Sequence, residues 1–295
     1  MKQICGIMPP MITPFKENGN VDYEAFIYNL KKWTKTGLSG LCVLGSNSET
    51  PYLRKDEKLE LIRLTVQNAE DKLVIAGTGM ETPEETVELT NEAADLGADY
   101  ALVITPSFFD GAMTSDALED YYTIVANGAK IPVLLYNVPK FTHVNIEPVL
   151  AAKLAAHPNI AGIKDSSGNI PQFASYIRLT KENDFAVLIG TAGALYPALA
   201  LGAAGGILAL ANCNPDECVE IYHLFQEGKL KESCELYQRM FPVNAAVTGA
   251  YGISGLKAAA TMMGYKGGFV RKPLQEQTEK NWMALNNILA AAQVI

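Results

Sequence analysis

The chain has 295 residues, of which 48% are hydrophobic and 19% charged, and its mean hydropathy is +0.07. This composition is typical of a folded globular protein and excludes a disordered or low-complexity chain. The net charge of −8 leaves no basic excess that could neutralise phosphates. We therefore expect neither a nucleic-acid partner nor binding to an anionic membrane.

The cysteines and the first residues bear on the compartment. The five cysteines are odd in number and scattered, a usage typical of a reducing environment. Residues 1–10 carry one cation and a short apolar run broken by two prolines, which is too little for a signal peptide. We expect a cytoplasmic protein.

Short apolar runs alternate with longer amphipathic segments as far as about residue 210. Helical periodicity is clear in Asp22–Thr36 and Asp56–Glu70, and Thr82–Glu85 combines a capping threonine, a first-turn proline and two carboxylates. The apolar runs predict eight strands: Ile7–Ile12, Gly40–Leu44, Leu73–Ala76, Tyr100–Ile104, Val133–Tyr136, Ile160–Ile163, Val187–Ile189 and Gly206–Leu210. Because the runs are apolar on both faces, they indicate a parallel sheet covered on each side.

One stretch, Phe185 to Pro215, has no charged residue and is long enough by count to span a membrane. Five glycines and Pro197 divide it into shorter pieces. We therefore predict strand, helix and strand within a buried sheet.

Eight successive strand–helix units predict an α/β fold, a (β/α)₈ TIM barrel over residues 1–212, with its catalytic site at the carboxyl ends of the strands. A Rossmann-type fold would need a Gly-x-Gly-x-x-Gly turn after the first strand, where this chain has Pro9–Phe15. Only helical patterns follow the eighth strand: Asp216–Glu227, Leu230–Met240, Leu256–Met263 and Gln275–Ala292. They predict a C-terminal helical extension, residues 213–295, packed on the barrel.

Lys164 directly follows the apolar run Asn159–Ile163, so its stem should be enclosed while its amine points into the barrel mouth. Desolvation disfavours an ammonium ion, and a neutral amine can attack a ketone to form a Schiff base. The alternative is a lysine that reaches water and stabilises a strand end. Tyr136 ends the preceding strand, where its phenol could carry protons for Lys164 or simply fill the barrel.

Gly45-Ser46-Asn47 offers backbone and side-chain N–H and O–H donors that could hold a carboxylate without an arginine. The same three residues are also common in ordinary turns. On position alone, both interpretations stay open.

Other common sites are not indicated. The histidines and the Cys213/Cys218 pair lack metal-ligand spacing, so we expect no metal. Neither a P-loop nor a Gly-x-Ser-x-Gly elbow occurs. Two acidic clusters, Glu81/Glu84/Glu85 and Glu276/Glu279, are interpreted as solvated helix faces.

Four segments, in this order and spacing, resemble the pyruvate-handling class I aldolases and lyases grouped with dihydrodipicolinate synthase and N-acetylneuraminate lyase: Pro9–Phe15, Gly45–Glu49, Tyr136–Pro139 and Gly162–Gly168. The resemblance covers nearly the whole chain. It implies a homotetramer and Schiff-base chemistry without a cofactor, in which Lys164, Tyr136 and Ser46 are catalytic. The substrate-binding residues it implies are Ser46, Asn47, Ser166, Gly190 and Ile207.

Departures from the family pattern bear on the substrate. Dihydrodipicolinate synthases carry an arginine two residues after the Tyr-Asn-Val-Pro segment, and Phe141 cannot supply its forked hydrogen bonds. Sialic acid lyases carry acidic residues where this chain has Thr191 and Ala192. The likeness is greatest to 4-hydroxy-2-oxoglutarate aldolases and related 2-keto-3-deoxy acid aldolases, in these segments: Gly202–Gly206, Ala209–Asn212, Asn244–Thr248 and Gly252–Lys257.

The resemblance thus implies an enzyme that cleaves or forms a carbon–carbon bond of a 2-oxo acid, with pyruvate and an aldehyde as partners. Ser48 replaces a loop glycine, and Phe108 and Phe109 occupy the region where relatives place a tyrosine lent by a neighbouring subunit. The proton relay could then run through Ser46 and water. Two alternatives remain, dihydrodipicolinate synthase and a non-catalytic 2-oxo acid binding protein. Lys140 is a candidate cation for the distal end of the substrate.

Overall fold

The computed structural model describes residues 4–295. Residues 1–3, part of the N-terminal segment that we expect not to be a signal peptide, lie outside the described residues. Within this range eight parallel strands form one sheet in the order β1-β8-β7-β6-β5-β4-β3-β2. The strands are β1 Gly6–Met8, β2 Gly40–Val43, β3 Leu73–Gly77, β4 Tyr100–Ile104, β5 Val133–Asn137, β6 Ile160–Asp165, β7 Ala186–Ile189 and β8 Gly205–Ile207.

The two edge strands of the sheet, β1 and β2, approach one another, so the sheet closes into a barrel. Beyond β1 a parallel bridge joins Pro10 to Cys42 of β2. The Met11 N–H donates to the Cys42 carbonyl at 2.8 Å, and the Cys42 N–H donates to the Pro9 carbonyl at 3.0 Å. The predicted (β/α)₈ TIM barrel is confirmed.

Two predicted strands are too long by three or more residues, and β2 ends at Val43, one residue before the predicted Leu44. β1 ends at Met8 rather than Ile12, since Pro9 and Pro10 have no N–H with which to continue a ladder. β8 ends at Ile207, and the 3-10 turn Ala209–Asn212 follows within the same apolar run. The apolar run overestimated β8 because a buried turn and a buried strand have the same composition.

Helices cover the outside of the barrel. The first eight are α1 Tyr23–Trp33, α2 Lys55–Asn68, α3 Pro83–Asp95, α4 Ser115–Gly128, α5 Pro139–Thr142, α6 Pro148–Leu154, α7 Ile170–Thr180 and α8 Leu195–Ala200. Local capping sets their starts: the Asp22 Oδ1 accepts from the Ala25 N–H at 3.1 Å, and the Thr82 Oγ1 accepts from the Glu85 N–H at 3.3 Å. The charge-free stretch is β7, α8 and β8, as predicted.

After β8 the chain is helical. The remaining helices are α9 Pro215–Gln226, α10 Leu230–Ala245, α11 Gly252–Met262 and α12 Glu279–Ala291, with a π-helical turn at Ala246–Ala250 between α10 and α11. α12 begins at Glu279 rather than Gln275, because Thr278 caps it through the Asn281 N–H at 3.3 Å. The division of the chain between residues 212 and 213 stays a prediction.

Two apolar clusters form the core. One lies between the barrel and its helices. The other fills the barrel interior with inward side chains, among them Met8, Cys42, Leu102, Leu134 and Ile207. This second cluster is the floor beneath the barrel mouth. None of the helices in residues 4–295 combines the length and the apolar character needed to cross a membrane.

Candidate active site

Lys164 and Tyr136 stand side by side at the carboxyl ends of β6 and β5. Their Cα atoms are paired in the sheet register. The side chain of Lys164 is only 2% exposed, and its Nζ lies 4.1 Å from the centroid of the Tyr136 ring. The amine is thus shielded from bulk water and held against the phenol, which is the arrangement required for condensation with a ketone.

Ser46 joins this pair from across the barrel. It begins the 3-10 turn Ser46–Ser48 after Gly45. Its Oγ is hydrogen-bonded to the Tyr136 Oη at 3.2 Å. Ser48, the last residue of this turn, is buried and donates from its Oγ to the Met11 carbonyl at 2.6 Å.

Asn47 contributes an unsatisfied donor. Its Nδ2 is buried and has no hydrogen-bond partner within residues 4–295. A buried N–H that is unpaired costs free energy unless a ligand or water accepts from it. Asn47 also lines the barrel mouth, so this unpaired donor is left for a ligand or a water that reaches it.

These side chains line one cleft of about 650 Å³ at the barrel mouth. Its lining includes Ser46, Asn47, Tyr136, Lys164, Ser166 and Gly190. A Cβ at Gly190 would lie 1.9 Å from the Ser166 Oγ, so only glycine leaves that hydroxyl its place. The structure therefore brings six of the seven predicted site residues together.

Ile207, the seventh, lies elsewhere. It is fully buried on β8, in the apolar cluster of the barrel interior, and is not among the residues that line the cleft. Its Cα pairs with that of Met8.

A buried polar network lies behind the lysine. The Asp165 carboxylate accepts from the Asn137 Nδ2 at 2.8 Å and from the Ser167 Oγ at 2.7 Å. Burial raises the pKa of Asp165, against the lowering effect of these hydrogen bonds. The network fixes the turn that follows β6. Sequence reasoning missed it, although side-chain alternation places Asn137 and Asp165 on the face opposite Tyr136 and Lys164.

The outer wall of the cleft comes from the C-terminal helices, a contribution that sequence analysis did not predict. Val247–Gly249 of the π-helical turn and Tyr251–Ser254 at the start of α11 line it, together with Leu274 and Gln275. The only signal was the family likeness of Asn244–Thr248 and Gly252–Lys257. These helices therefore do more than pack beside the barrel.

The distal end of the cleft contains Lys140 and Phe141 from α5. The Lys140 Nζ donates to the Thr248 carbonyl at 3.2 Å. Phe141 is 55% exposed and presents no polar atom of its side chain. Among the lining residues, Lys140 is the cation besides Lys164.

Phe108 and Phe109 lie outside the cleft lining, with exposures of 78% and 69%. Glu81 holds their loop, because its carboxylate accepts from the Ser107 N–H and Oγ and from the Phe108 N–H at 3.1 to 3.2 Å.

Two glutamates that sequence analysis assigned to solvated helix faces lie outside the helices. Glu81 precedes α3, and Glu276 precedes α12 and accepts from the Val270 N–H at 2.7 Å.

The cysteines are free thiols, and three of them are buried. Burial raises the pKa of Cys42 to about 11 and that of Cys213 to about 12. Within residues 4–295 no group of three or more His, Cys, Asp or Glu side chains is arranged around a common metal position.

Comparison with known proteins places this geometry in a family. The profile of the dihydrodipicolinate synthetase family matches residues 3–292. The 4-hydroxy-tetrahydrodipicolinate synthase of Methanothrix thermoacetophila is 36% identical over 284 residues, covering 96% of this chain and 95% of the relative. That of Haloarcula marismortui is 32% identical, covering 98% and 94%.

Solved structures agree with the sequence relatives. Dihydrodipicolinate synthase from Thermotoga maritima superposes with a TM-score of 0.94 at 30% identity, covering all of both chains. A prophage protein of the same family from E. coli K12, solved in complex with pyruvate, has a TM-score of 0.94 at 27% identity over all of both chains. The chain therefore belongs to the dihydrodipicolinate synthetase family and is a Schiff-base-forming class I aldolase, a carbon–carbon lyase.

Proposed function

We propose that the chain is a pyruvate-dependent aldolase for a 4-hydroxy-2-oxoglutarate or 2-keto-3-deoxy acid, and that Lys164 forms the Schiff base. The observation that carries this proposal is the buried Lys164 amine, 4.1 Å from the Tyr136 ring, whose hydroxyl is hydrogen-bonded to Ser46. Phe141 supports a substrate other than that of the synthases, since it lines the distal cleft without a guanidinium.

In the cleavage direction the Lys164 Nζ attacks the C2 carbonyl, and the carbinolamine loses water to give an iminium ion. Tyr136 exchanges protons with Ser46 and the carbinolamine during this step. The iminium ion accepts the electron pair of the C3–C4 bond as the C4 hydroxyl loses its proton, and an aldehyde leaves. The enamine is protonated at C3 and hydrolysed, which releases pyruvate and the free amine.

The remaining polar groups bind and orient the substrate. Ser46 and Asn47 hold the substrate carboxylate with their N–H and O–H donors, and the free Asn47 Nδ2 supports this role. Ser166 contacts the hydroxyl near C4, in the space that Gly190 leaves for it. Ile207 supports the floor from the barrel interior.

The test is borohydride trapping. With pyruvate present, reduction should fix one label on Lys164, and Lys164→Arg should remove it. A panel of aldehydes, scored for carbon–carbon bond formation with pyruvate, then identifies the acceptor. Label on another residue, or none, contradicts the proposal.

The names of the relatives favour a second candidate, 4-hydroxy-tetrahydrodipicolinate synthase, at 32% and 36% identity. Adding aspartate semialdehyde with pyruvate decides between the two, because only the synthase condenses that pair efficiently. Pyruvate trapping without product from any acceptor or 2-oxo acid would instead indicate a binding protein. We also expect a homotetramer, and the free thiols support a cytoplasmic location.

A further inference from the structure

Lys257 is a second buried lysine that the proposed reaction does not use. Its side chain is 2% exposed, like that of Lys164. Lys257 lies on α11, where its Nζ faces the Glu49 Oε1 at 2.5 Å and donates to the Phe269 carbonyl at 2.6 Å. Glu49 itself is fully buried. The C-terminal helices thus place a charge pair inside the protein, next to the turn that carries Ser46.

That turn is held between two residues in the left-handed conformation. Leu44 has a φ of +60° and Glu49 a φ of +57°. Such φ values are uncommon for residues other than glycine and persist where surrounding contacts impose them. The Thr50 Oγ1 donates to the carbonyls of Leu44 at 2.6 Å and Gly45 at 3.0 Å, which closes one side of the turn.

The C-terminal extension closes the other side. The Arg271 N–H donates to the Glu49 Oε2 at 2.8 Å, while Oε1 is ion-paired with the Lys257 Nζ without a well-directed hydrogen bond. The Arg271 guanidinium donates in addition to the Tyr52 carbonyl at 2.7 Å. The same helix α11 begins with residues 252–254, which line the cleft. Helix α11 therefore lines the cleft with residues 252–254 and, through Lys257, contacts Glu49 at the end of the turn Ser46–Ser48.

The energetics of the pair argue against a purely stabilising role. Burial lowers the pKa of Lys257 to about 8, against the opposite effect of Glu49. Burial likewise raises the pKa of Glu49. Two charges that are desolvated in this way contribute little net stability compared with apolar residues of similar size. The ion pair instead favours one arrangement of α11 and Glu49, because a buried charge is costly unless its counter-ion lies beside it.

We propose that Lys257 and Glu49 are positioning residues, whose buried ion pair fixes the turn Ser46–Ser48 so that Ser46 and Asn47 face Lys164. The inference rests on the proposed function, because it concerns the turn that binds the pyruvate carboxylate. Lys257 and Glu49 act through Ser46 and Asn47 and do not touch the reacting atoms.

The experiment measures borohydride trapping of pyruvate as a function of pyruvate concentration. The variants are Glu49→Gln, Lys257→Met and the double variant, which keeps both side-chain lengths and removes both charges. Each single variant is expected to raise the half-saturating pyruvate concentration about tenfold or more, because a small displacement of the turn weakens carboxylate binding. The maximal trapping rate should fall by no more than about tenfold, the cost of losing the Ser46 hydrogen bond itself, since Lys164 and Tyr136 are untouched.

Thermal unfolding separates positioning from stability. The double variant should recover the stability lost in the single variants, because no unpaired charge remains buried, while its half-saturating concentration stays raised. Ser233→Ala is the matched control. It removes a buried hydrogen bond of the C-terminal helices, from the Ser233 Oγ to the Ile221 carbonyl at 2.8 Å, and should lower stability without changing pyruvate saturation.

The outcomes are distinguishable. Absence of label in the parent chain overturns the proposed function and this inference with it. Label in the parent, together with an unchanged half-saturating concentration in the folded variants, overturns the positioning role alone. Where a single variant fails to fold, the double variant decides in the same way. A raised half-saturating concentration in Ser233→Ala would show that general destabilisation is the cause and also overturns the positioning role.

Discussion

The Ser46 Oγ and the Tyr136 Oη lie 3.2 Å apart, although 90 positions separate the two residues in the chain. Lys164 completes the group, because its Nζ lies over the Tyr136 ring. The phenol therefore has a hydrogen-bonded partner on one side and the amine on the other. The proposed mechanism passes protons between Ser46, Tyr136 and the carbinolamine, and the Ser46–Tyr136 hydrogen bond is the first contact that this relay needs.

The first prediction concerns this relay. Tyr136→Phe should lower the rate of pyruvate trapping and of turnover by about 10²- to 10³-fold, because general acid–base catalysis is lost. Ser46→Ala should cost about tenfold, the effect of one hydrogen bond. Single-turnover trapping with borohydride measures both effects.

The control for this prediction is Tyr121→Phe. Tyr121 is buried, and its hydroxyl donates to the Met80 carbonyl at 2.8 Å, away from the cleft lining. Its loss should affect stability and leave trapping within about threefold. If Tyr136→Phe and Tyr121→Phe have equal effects, the Tyr136 hydroxyl carries no protons.

Sequence reasoning could reach Lys164 and Tyr136 for a physical reason. Parallel strands end at one face of a barrel, so polar residues directly after two apolar runs must meet there. Ser46 and Asn47 were equally compatible with an ordinary turn, and only the family likeness separated the two interpretations. Ser46 contacts Tyr136 across the barrel, and no local sequence pattern predicts a contact between residues 90 positions apart.

The rest of the site depends on contacts that are distant in sequence. Arg271 and Glu49 are 222 positions apart, and the residues that flank each of them show no apolar periodicity that would predict burial. The outer wall from Val247 to Ser254 lies in a π-helical turn and a helix start, which apolar periodicity does not resolve. Composition likewise could not show where β8 ends, because strand and turn are equally apolar.

The second prediction concerns the acceptor. Phe141→Arg should raise kcat/KM for an aldehyde that carries a carboxylate by about tenfold or more, relative to a neutral aldehyde, because a guanidinium makes two charge-assisted hydrogen bonds. Phe141 is 55% exposed at the cleft, so the longer side chain has room. The ratio of kcat/KM for aspartate semialdehyde and glyceraldehyde measures the effect.

Phe141→Leu is the control, since it removes the ring without adding a charge. It should leave the ratio unchanged. The prediction is wrong if the arginine and leucine variants shift the ratio equally.

The third prediction concerns the strained turn. A Cβ at Gly77 would lie 2.1 Å from the Leu44 carbonyl oxygen, which has no space to move without disturbing the start of the Ser46 turn. Gly77→Ala should lower the free energy of unfolding by about 3 kcal/mol. It should also weaken pyruvate saturation. Urea denaturation, followed by trapping on the folded variant, measures both.

Gly111→Ala serves as the comparison, because within residues 4–295 no atom other than those of its two chain neighbours lies within 4 Å of the added Cβ. Its unfolding free energy should change by no more than about 0.5 kcal/mol. Equal losses in the two variants would mean that the close approach to Leu44 is not responsible.

The fourth prediction concerns acid stability. Arg271 donates to the Glu57 Oε2 at 2.7 Å and Oε1 at 2.8 Å, and these hydrogen bonds lower the pKa of Glu57 from its ordinary value of 4.5. The unfolded chain then binds more protons below that value. The stabilisation is present above about pH 4.5 and is lost as the pH falls through the folded-state pKa.

Glu57→Gln should lower the unfolding free energy at pH 7 by about 3 kcal/mol, since Glu57 is 3% exposed and the Arg271 guanidinium keeps its charge but loses its counter-ion. Below pH 4.5 the stability of the variant should fall less steeply than that of the parent. Asp95→Asn breaks an exposed pair with Lys130 and should cost about 0.5 kcal/mol or less. Parallel slopes in parent and Glu57→Gln would contradict the assignment.

The fifth prediction concerns assembly. Phe108 and Phe109 form an edge-to-face pair, 5.0 Å between ring centroids, that is exposed and held in place by Glu81. A fixed, exposed aromatic pair is typical of a protein–protein contact. Because the family likeness implies a homotetramer with a neighbour near these residues, the double variant Phe108→Ser/Phe109→Ser should dissociate into smaller species. Sedimentation velocity measures the masses.

Val149→Ser is the matched control, because Val149 is 74% exposed but belongs to α6, away from the phenylalanine pair. Its mass distribution should equal that of the parent. A monomeric parent, or an unchanged mass in the double variant, would show that the pair is not part of an interface. If instead the double variant dissociates and keeps its pyruvate trapping rate, the neighbouring subunit supplies no proton relay, as expected if Ser46 and Tyr136 suffice within one chain.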